Sequence, residues 1–368
     1  QIAVEIDALV EADIVVLPHR QPRIEGRREI PARREGKDKA LRLFKAIGRG
    51  PVASRPLERV EIDHTKLDLI VVDEVTRIPI GRPWLTLAID KATRMICGFY
   101  LSFTPPSALS VLACLKHCIT PKTYLKEMFP DILNDWPVYG VPEMIVVDNG
   151  KDFLSENFRD ACLMLGIIIQ QAPPGVPWFK GPIERFFGTH NTQLVHLQKG
   201  TTFSNIFDRD EYVPETHAVI SLSTFNQLMH HFIVDEYQQS RHRGLDRVPA
   251  AVWQELVAKY PPALPPDKQT LDVWLGHTEF RTLSNKGIEL NNLRYNCNAV
   301  KMLLRTGGKR MEVKVKFDPS DLSVIYVADE QRNDFIPVPA LDQVYTEKLT
   351  LWQHQIIHRF AQRKWQGE

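Results

Sequence analysis

The chain has 368 residues, of which 43% are hydrophobic, so it can bury at least one sizeable core and form two or three domains. Its formal net charge is only +1, so the whole-chain balance excludes any argument for nucleic-acid binding from composition, and such a signal must be local. No apolar run approaches the roughly 20 residues of a membrane helix, and no signal peptide precedes the first element, which predicts a cytoplasmic protein without a membrane partner.

The cysteines predict reduced thiols. There are five, an odd number, and no two are spaced as CxxC. Cys114, His117 and Cys118 lie close together on a predicted helix, but they would supply only part of a zinc shell. We therefore expect these three side chains to pack in a core.

The first 56 residues change the sign of their charge. Residues 1–19 contain no Lys or Arg, and the chain opens at Gln1 within an apolar pattern, which indicates a fragment. Residues 20–56 form a basic linker or short helix, either solvated or lying as an arm along a phosphate backbone. Its candidate phosphate contacts are Arg27, Arg28, Arg33, Arg34, Lys37, Arg42 and Lys45.

The region 57–260 has the pattern of an α/β domain. Three predicted strands, "RVEIDHT", "PWLTLAID" and "RMICGFYLSF", precede a helix from Ser107 to Cys118. A buried strand "EMIVVDNG", a helix from Phe153 to Leu165, the apolar run "GIIIQQAP" and further helices follow. This order predicts a mixed sheet with helices on its faces.

The remaining chain predicts a separate β module. Residues 261–269 form a Pro-rich linker, and 270–340 are expected to form a small barrel with strands such as "NAVKML", "MEVKVKFD" and "LSVIYVAD". Residues 341–368 predict a C-terminal helix. The module is locally basic, and its candidate DNA contacts are Arg294, Lys301, Arg305, Lys309, Arg310, Lys314 and Lys316.

Three carboxylates occupy positions that a fold would not favour. Asp63 lies mid-strand, Asp148 ends a buried strand and Glu184 begins a helix in "KGPIER". Each alone has a structural explanation, as a sheet-edge residue, a turn former or a helix N-terminal acid. A strand centre, a neighbouring strand end and the first turn of a packed helix can nevertheless converge at one sheet edge. Converging carboxylates are hard ligands suited to Mg²⁺ or Mn²⁺, and two such ions can support in-line phosphoryl displacement.

The same residues resemble a known family. Thirty-five residues separate Asp148 from Glu184, which is similar to the D,D-35-E pattern of the retroviral-integrase and transposase superfamily. More narrowly, four segments resemble the TnsB-like DDE transposases and the related Mu transposase: "LERVEIDHTKLDLIVVDE", "PWLTLAIDKATRMICGFYLSF", "VVDNGKDF" and "KGPIERFFGTHN". The segment "VKFDPSDLSVIYV" resembles the C-terminal barrel of that group, so the resemblance covers roughly residues 50–340.

The resemblance implies an RNase H-like core with a mixed five-stranded sheet, and catalysis by Asp63, Asp148 and Glu184 holding two Mg²⁺ or Mn²⁺ ions. Water would free a 3′-OH at the transposon end, and that 3′-OH would attack target DNA. It also implies that residues 1–19 are the remnant of an N-terminal DNA-binding region.

The loop before Glu184 is similar to the flexible active-site loop of the family. Gly181 and Pro182 would start the helix so that Glu184 faces the metals. Lys180 and Arg185 are expected to contact phosphates, or else to lie on a solvated helix face. The aromatic pair before Lys180, Trp178 and Phe179, either stacks on a base or packs the loop, whereas His64 is expected to be a core residue. Asn149 and Asp152 are expected to assist the metal ligands.

The implied partners are transposon-end and target DNA, further copies of the chain assembled on DNA, and an AAA+ ATPase that selects targets, as TnsC does. A TnsA-like endonuclease for the 5′ strand and a bacterial cytoplasmic location are also implied. Two alternatives remain open. A retroelement integrase usually carries a His/Cys zinc module, but the first 60 residues contain one histidine and no cysteine. A DNA-binding or assembly module would carry the acidic triad incidentally.

Overall fold

The computed structural model describes most of the chain after the basic linker. The described residues are 52–74, 77–150, 153, 155–173, 177–195, 220–308, 310–332, 334–347 and 349–366. The expected N-terminal remnant, the candidate phosphate contacts of the linker, Asp152 and Lys309 lie outside them.

The first half of the described chain forms a mixed sheet with helices. Its elements are β1 (Val60–Lys66), β2 (Val71–Val72), β3 (Pro79–Gly81), β4 (Trp84–Asp90), β5 (Ile96–Ser102), α1 (Ala108–Ile119), α2 (Leu125–Met128), β6 (Met144–Val147), α3 (Glu156–Leu165), β7 (Ile168–Gln171) and α4 (Gly181–Gln193). The strand order is β5-β4-β1-β6-β7, with β1, β4 and β5 antiparallel and with β6 and β7 parallel to β1. The expected mixed five-stranded sheet of an RNase H-like core is confirmed.

The sheet is buried because its central strands are apolar on both faces. All residues of β4 after Trp84 are buried, as are the last three residues of β6. Helix α1 lies so close to β5 that a Cβ on Gly98 would come within 2.6 Å of the Cys118 backbone nitrogen. A glycine is therefore required where the helix meets the sheet.

Side chains expected to pack in the core do so. The thiols of Cys114 and Cys118 are buried, and burial raises the pKa of the Cys114 thiol well above its ordinary value. The His117 Nε2 lies 2.8 Å from the Tyr124 hydroxyl, and its Nδ1 lies 2.9 Å from the Phe99 carbonyl oxygen. Both ring nitrogens of His117 therefore have partners within the core.

Helices then lead to a six-stranded sheet. The helices are α5 (Leu222–His231), which continues as a π-helical turn (Phe232–Tyr237), α6 (Pro249–Lys259) and α7 (Lys268–Leu275). The second sheet contains β8 (His277–Ser284), β9 (Gly287–Leu290), β10 (Leu293–Tyr295), β11 (Arg310–Asp318), β12 (Asp321–Asp329) and β13 (Asp334–Pro339). Helix α8 (Asn298–Gly307) follows β10, and α9 (Gln343–Thr346) and α10 (Leu351–Gln366) end the described chain.

The second sheet curls into the expected barrel. Its strand order is β10-β9-β8-β11-β12-β13. The two outer strands meet, because Tyr295 bridges to Ala340 and the Leu341 N–H donates to the Arg294 carbonyl at 2.8 Å. This closure pairs backbone groups that would otherwise be left at two open edges.

Two expectations for the β module are wrong. The segment "NAVKML", expected as a strand, begins helix α8, and Thr270, expected at the start of the β region, lies in helix α7. In α8, Val300 is buried whereas Lys301 and Met302 are exposed, which is a helical rather than an alternating pattern. Six residues are too short a window to separate the two periods.

A buried ionic contact joins the core to the barrel. The Lys116 ammonium, on α1, lies 2.5 Å from Asp272 Oδ1 and also pairs with Asp318. The Tyr326 hydroxyl donates to Asp272 Oδ2 at 3.1 Å. One cation on the core thus binds one acid on α7 and one at the end of β11.

Among the described residues, no helix is both long enough and apolar enough to span a bilayer.

Candidate active site

Strand β1 presents Asp63 beside the start of helix α4. Side chains alternate along a strand, so Glu61 and Asp63 share one face. The Asp63 side chain is 21% exposed, and its Oδ1 accepts the backbone N–H of His64 at 2.9 Å. His64 itself turns away, since its ring stacks on Phe153 and its Nδ1 lies 2.8 Å from the Thr86 hydroxyl.

Asp148 lies level with Asp63 on the neighbouring strand. Val60 pairs with Ile145 and Glu61 with Val146 in the parallel register of β1 and β6. The same offset continued by two residues pairs Asp63 with Asp148, one residue beyond β6. Parallel neighbours at one level point to the same side of a sheet, so the strand register brings the two carboxylates to one edge.

The turn after β6 exposes Asp148 and fixes the next residue. Asp148 Oδ1 accepts the Gly150 N–H at 2.9 Å, which shapes the turn. The Asn149 side-chain amide donates to the Ala172 carbonyl at 3.2 Å and so connects the ends of β6 and β7. Asn149, expected to support the metal ligands, is positioned here by the sheet rather than by Asp148.

Glu184 is exposed in the first turn of α4, as the sequence predicted. Pro182 lies in the same turn, where its missing N–H costs no helical hydrogen bond. Partial burial, followed by the nearby Asp63 carboxylate, raises the pKa of the Glu184 carboxyl, while the Lys180 ammonium opposes the rise.

The Lys180 ammonium faces Asp63. Its Nζ lies 2.9 Å from Asp63 Oδ2 as an ion pair, without the angles of a hydrogen bond, and the Lys180 side chain is 6% exposed. Lys180 was expected to contact phosphate, but in this arrangement its charge balances a carboxylate. Arg185, the other predicted phosphate contact, is exposed on α4.

The residues at this edge fit divalent metal ions by their chemistry. Carboxylate oxygens are the ligands that Mg²⁺ and Mn²⁺ prefer. Beside partial burial, the Asp63 carboxylate raises the pKa of Glu184, and a bound cation would offset that negative charge. As the side chains stand, no three His, Cys, Asp or Glu residues of the described ranges form a group that could hold a metal ion, and Asp63 is paired with Lys180.

Sequence reasoning missed Glu61 and Lys91. Glu61 is fully buried, and its Oε1 lies 2.6 Å from the Lys91 Nζ. The alternation of "VEID" could have indicated Glu61, because it places this acid on the face of Asp63. Lys91 follows β4 directly, and nothing in the local sequence signals its partner.

The loop before α4 is packed through Phe179. The guanidinium of Arg59 lies 4.6 Å from the centroid of the Phe179 ring, a cation–π distance. Arg59 also hydrogen-bonds Gln170 on β7. Of the two roles considered for Phe179, this contact favours packing of the loop, while the Trp178 side chain lies outside the described residues.

Two of the predicted basic residues of the barrel come together. Arg294 and Arg310 line a cleft of about 340 Å³, which also contains Lys286, a lysine that the sequence did not single out, and Thr282. Glu289 also lines the cleft, but the three cations leave it with a net positive charge, which suits an anion such as a DNA phosphate.

The other predicted barrel contacts differ in exposure. Lys301 and Arg305 are exposed on α8, and Lys314 is half-buried on β11. Lys316 is 7% exposed, lies 3.4 Å from the Trp274 carbonyl oxygen, and burial lowers its pKa to about 8. Its side chain is thus committed to the protein interior.

Two family models match the chain. The model of the TnsB C-terminal domain matches residues 61–200, which include Asp63, Asp148 and Glu184. The model of the Mu transposase C-terminal region matches residues 272–337, which include most of the barrel. Together they cover the two modules of the described fold. Over these two segments the chain is similar to transposases of the TnsB and Mu type.

Relatives specify that class further. The transposase for transposon Tn552 of Staphylococcus aureus is 28% identical over 276 residues, covering 75% of this chain and 52% of the relative. The Tn7 transposition protein TnsB of Escherichia coli is 28% identical over 213 residues, covering 54% of this chain and 30% of the relative. Both relatives are transposition proteins, and the chain spans about half the length of the first (52%) and less than a third of the second (30%).

Solved structures of integrases are also similar. The catalytic core of BIV integrase aligns with a TM-score of 0.31 at 13% identity, over 55% of this chain and 97% of that chain. A chain of the simian T-cell lymphotropic virus intasome in complex with PP2A regulatory subunit B56 gamma aligns with a TM-score of 0.36 at 12% identity, over 83% and 90%. Both scores are low, and the fold rests on the strand order described above.

Proposed function

We propose that the chain is a DNA transposase that cleaves the 3′ ends of transposon DNA and transfers the resulting 3′-OH into target DNA. The proposal is carried by the β1–β6 register, which sets Asp63 level with Asp148 beside the helix that begins just before Glu184. The TnsB and Mu family matches support the same reaction class. They also favour a transposase over a retroelement integrase.

In this proposal Asp63, Asp148 and Glu184 are the catalytic carboxylates and would hold two Mg²⁺ or Mn²⁺ ions. When bound, such ions supply electrostatic stabilisation of the attacking and leaving oxygens in an in-line displacement. Glu184 must be ionised to act as a ligand, and beside partial burial the Asp63 carboxylate raises its pKa. Lys180 balances the charge of Asp63, and Arg185 is exposed on α4, where it could approach a DNA phosphate.

DNA is the proposed partner, bound as transposon end and as target. The cleft formed by Arg294, Arg310 and Lys286 is the proposed phosphate contact on the barrel, and Arg305 is a further exposed candidate. Assembly of several copies on DNA, an ATPase that selects targets and a separate 5′-strand endonuclease belong to the same proposal. So does a bacterial cytoplasmic location, which is supported by the bacterial sources of the relatives.

The decisive experiment is strand transfer from a pre-cleaved, 3′-OH-bearing transposon-end duplex into plasmid in Mn²⁺, with Glu184→Gln as the comparison. The parent should give joined product and the variant none, while both bind the duplex equally. Loss of joining with retained binding excludes a purely DNA-binding or assembly module. Equal joining by the parent and Glu184→Gln would contradict the assignment of Glu184.

A further inference from the structure

A buried ion pair lies under the proposed catalytic edge. Glu61 is fully buried on the β1 face that carries Asp63, and the Lys91 side chain is 7% exposed at the end of β4. Their charged atoms are 2.6 Å apart. Glu61 is shielded from solvent and Lys91 is nearly so, and the pair therefore acts within the protein.

Each partner of this pair also holds the chain segment that leads to Glu184. Glu61 Oε2 accepts the backbone N–H of Ile183 at 3.3 Å, and Lys91 Nζ donates to the Phe179 carbonyl at 3.2 Å. These two backbone contacts flank Lys180 and end one residue before Glu184. The pair therefore fixes the final turn of the loop and the first turn of α4 to strands β1 and β4.

The lysine is itself held at its backbone. The Lys91 N–H donates to the Arg59 carbonyl at 2.8 Å, and the Arg94 guanidinium donates to the Lys91 carbonyl at 2.6 Å. The Arg59 guanidinium lies over the Phe179 ring. The ammonium of Lys91 thus projects from a rigid base towards the loop.

Stability alone does not account for this pair. Removing two charges from water costs as much as or more than their attraction returns, and apolar residues of similar volume are often equally stable or more so. Burial lowers the pKa of the Lys91 ammonium even against the attraction of Glu61. The negative charge of Glu61 also contributes to the raised pKa of Glu184. The arrangement thus has electrostatic costs both for the fold and for the site.

We propose that Glu61 and Lys91 are positioning residues that set the start of α4 so that Glu184 faces Asp63. This inference rests on the proposed function, since Glu184 is there a catalytic carboxylate. The contacts act on backbone groups, so they fix where the helix begins without occupying the site. A displacement of about 1 Å at a reacting centre can reduce a rate about a hundredfold.

The test compares an apolar replacement of the pair with the parent. In Glu61→Leu/Lys91→Met both buried charges are removed, so the double variant should unfold at a urea concentration equal to or above that of the parent. Its Mn²⁺ affinity, measured by calorimetry without DNA, should fall by about tenfold or more, and its rate of strand transfer by about a hundredfold. Parent-like Mn²⁺ affinity and rate in the folded double variant would overturn the proposal.

An exposed ion pair of the same core provides the matched control. Arg55 and Glu143 lie 2.8 Å apart with side chains 43% and 55% exposed, so Arg55→Met/Glu143→Leu should leave Mn²⁺ affinity and rate unchanged. If the buried double variant does not fold, Glu61→Gln is used as the test instead. It is isosteric, and it should weaken Mn²⁺ binding without weakening DNA binding. Unchanged Mn²⁺ binding in Glu61→Gln would equally overturn the proposal.

The two readouts separate this inference from the proposed function. If the parent joins no DNA, the proposed reaction fails, but Mn²⁺ binding still reports whether the pair positions the carboxylates. If the parent joins DNA and the double variant does so equally well, the reaction stands and the positioning role of Glu61 and Lys91 fails.

Discussion

The Lys180 ammonium lies 2.9 Å from Asp63 Oδ2, inside the proposed catalytic edge. A lysine so placed takes the position of a counter-ion for a carboxylate that would otherwise face Glu184 and Glu61. Since the same carboxylate is proposed to bind a divalent ion, the ammonium and the metal compete for it. In the proposed function, release from Asp63 would leave the lysine available for a phosphate, the role predicted from the sequence.

Lys180→Met should therefore strengthen Mn²⁺ binding while weakening strand transfer. Removing the competing cation should raise Mn²⁺ affinity about two- to fivefold, the range that corresponds to an ion pair worth up to about 1 kcal/mol. Calorimetry in the absence of DNA measures the affinity, and a joining assay at saturating Mn²⁺ measures the reaction. Lys259→Met provides the control, because Lys259 belongs to an exposed ion pair with Glu255 on α6. An Mn²⁺ affinity that is equal or weaker in Lys180→Met would contradict competition at Asp63.

Strong local periodicity made the core sheet predictable. The apolar runs of β4 and β6 and the alternation of β1 indicated strands at the correct places. The β2–β3 hairpin was missed because strands of two and three residues carry no measurable period. Helix α8 was mistaken for a strand because the six-residue segment "NAVKML" is also too short to show a period. Closure of the barrel through Tyr295 and Ala340 is a long-range contact that no local pattern encodes.

The sequence singles out candidate site residues but does not indicate their contacts. Asp63, Asp148 and Glu184 stood out because acids are unusual at their positions, and a resemblance supplied their spacing. The pairing of Lys180 with Asp63 depends on the approach of α4 to β1, which is a tertiary distance. Lys316 was predicted to bind DNA, but its side chain is buried against α7. Side-chain direction at a barrel–helix contact is set by packing rather than by sequence period.

The cleft on the barrel predicts which cations contact DNA. Arg294→Gln/Arg310→Gln should weaken binding to duplex DNA and lower the slope of log affinity against log salt by about two, or about one per lost phosphate contact. Fluorescence anisotropy at several salt concentrations measures both quantities. Lys316→Met also removes a positive charge, but its buried ammonium should leave the slope unchanged. Equal slopes for all three proteins would exclude the cleft from the DNA interface.

The junction between core and barrel should depend on Lys116. This ammonium pairs with Asp272 and Asp318. Burial alone would raise the pKa of Asp318, but Lys116 and the hydrogen bonds donated by Ser320 lower it. Lys116→Met leaves two buried acids uncompensated and should lower the free energy of unfolding by about 3 kcal/mol or more, measured in urea. Lys259→Met removes an exposed helical pair and should change it by about 0.5 kcal/mol or less.

A second substitution tests the electrostatic origin of that loss. Adding Asp272→Asn to Lys116→Met removes one of the two uncompensated charges, so part of the lost stability should return. Further destabilisation in the double variant would indicate that Lys116 acts through packing of its methylene groups instead.

Asp90 predicts how stability depends on pH. The side chain is fully buried at the end of β4, where it accepts the Leu57 N–H at 3.1 Å and the Thr93 hydroxyl at 2.6 Å. Burial raises the pKa of Asp90 from its ordinary value of 3.8 to about 6, although these donors oppose the rise. Between these pH values the folded state retains a proton that the unfolded state has released, so the contribution of Asp90 to stability is complete below about pH 4 and is lost as the pH rises through 6.

Asp90→Asn should remove this pH dependence. The free energy of unfolding of the variant minus that of the parent should rise by about 3 kcal/mol between pH 4 and pH 7, in urea unfolding at each pH. Asp235→Asn is the control of opposite sign. Partial burial opposes the shift, but hydrogen bonds donated by Asn134 lower the pKa of Asp235. For Asp235→Asn, the free energy of unfolding of the variant minus that of the parent should therefore fall as the pH rises. This change should occur only below about pH 4. A difference for Asp90→Asn that is flat across this range would show that its carboxyl titrates alike in the folded and unfolded states.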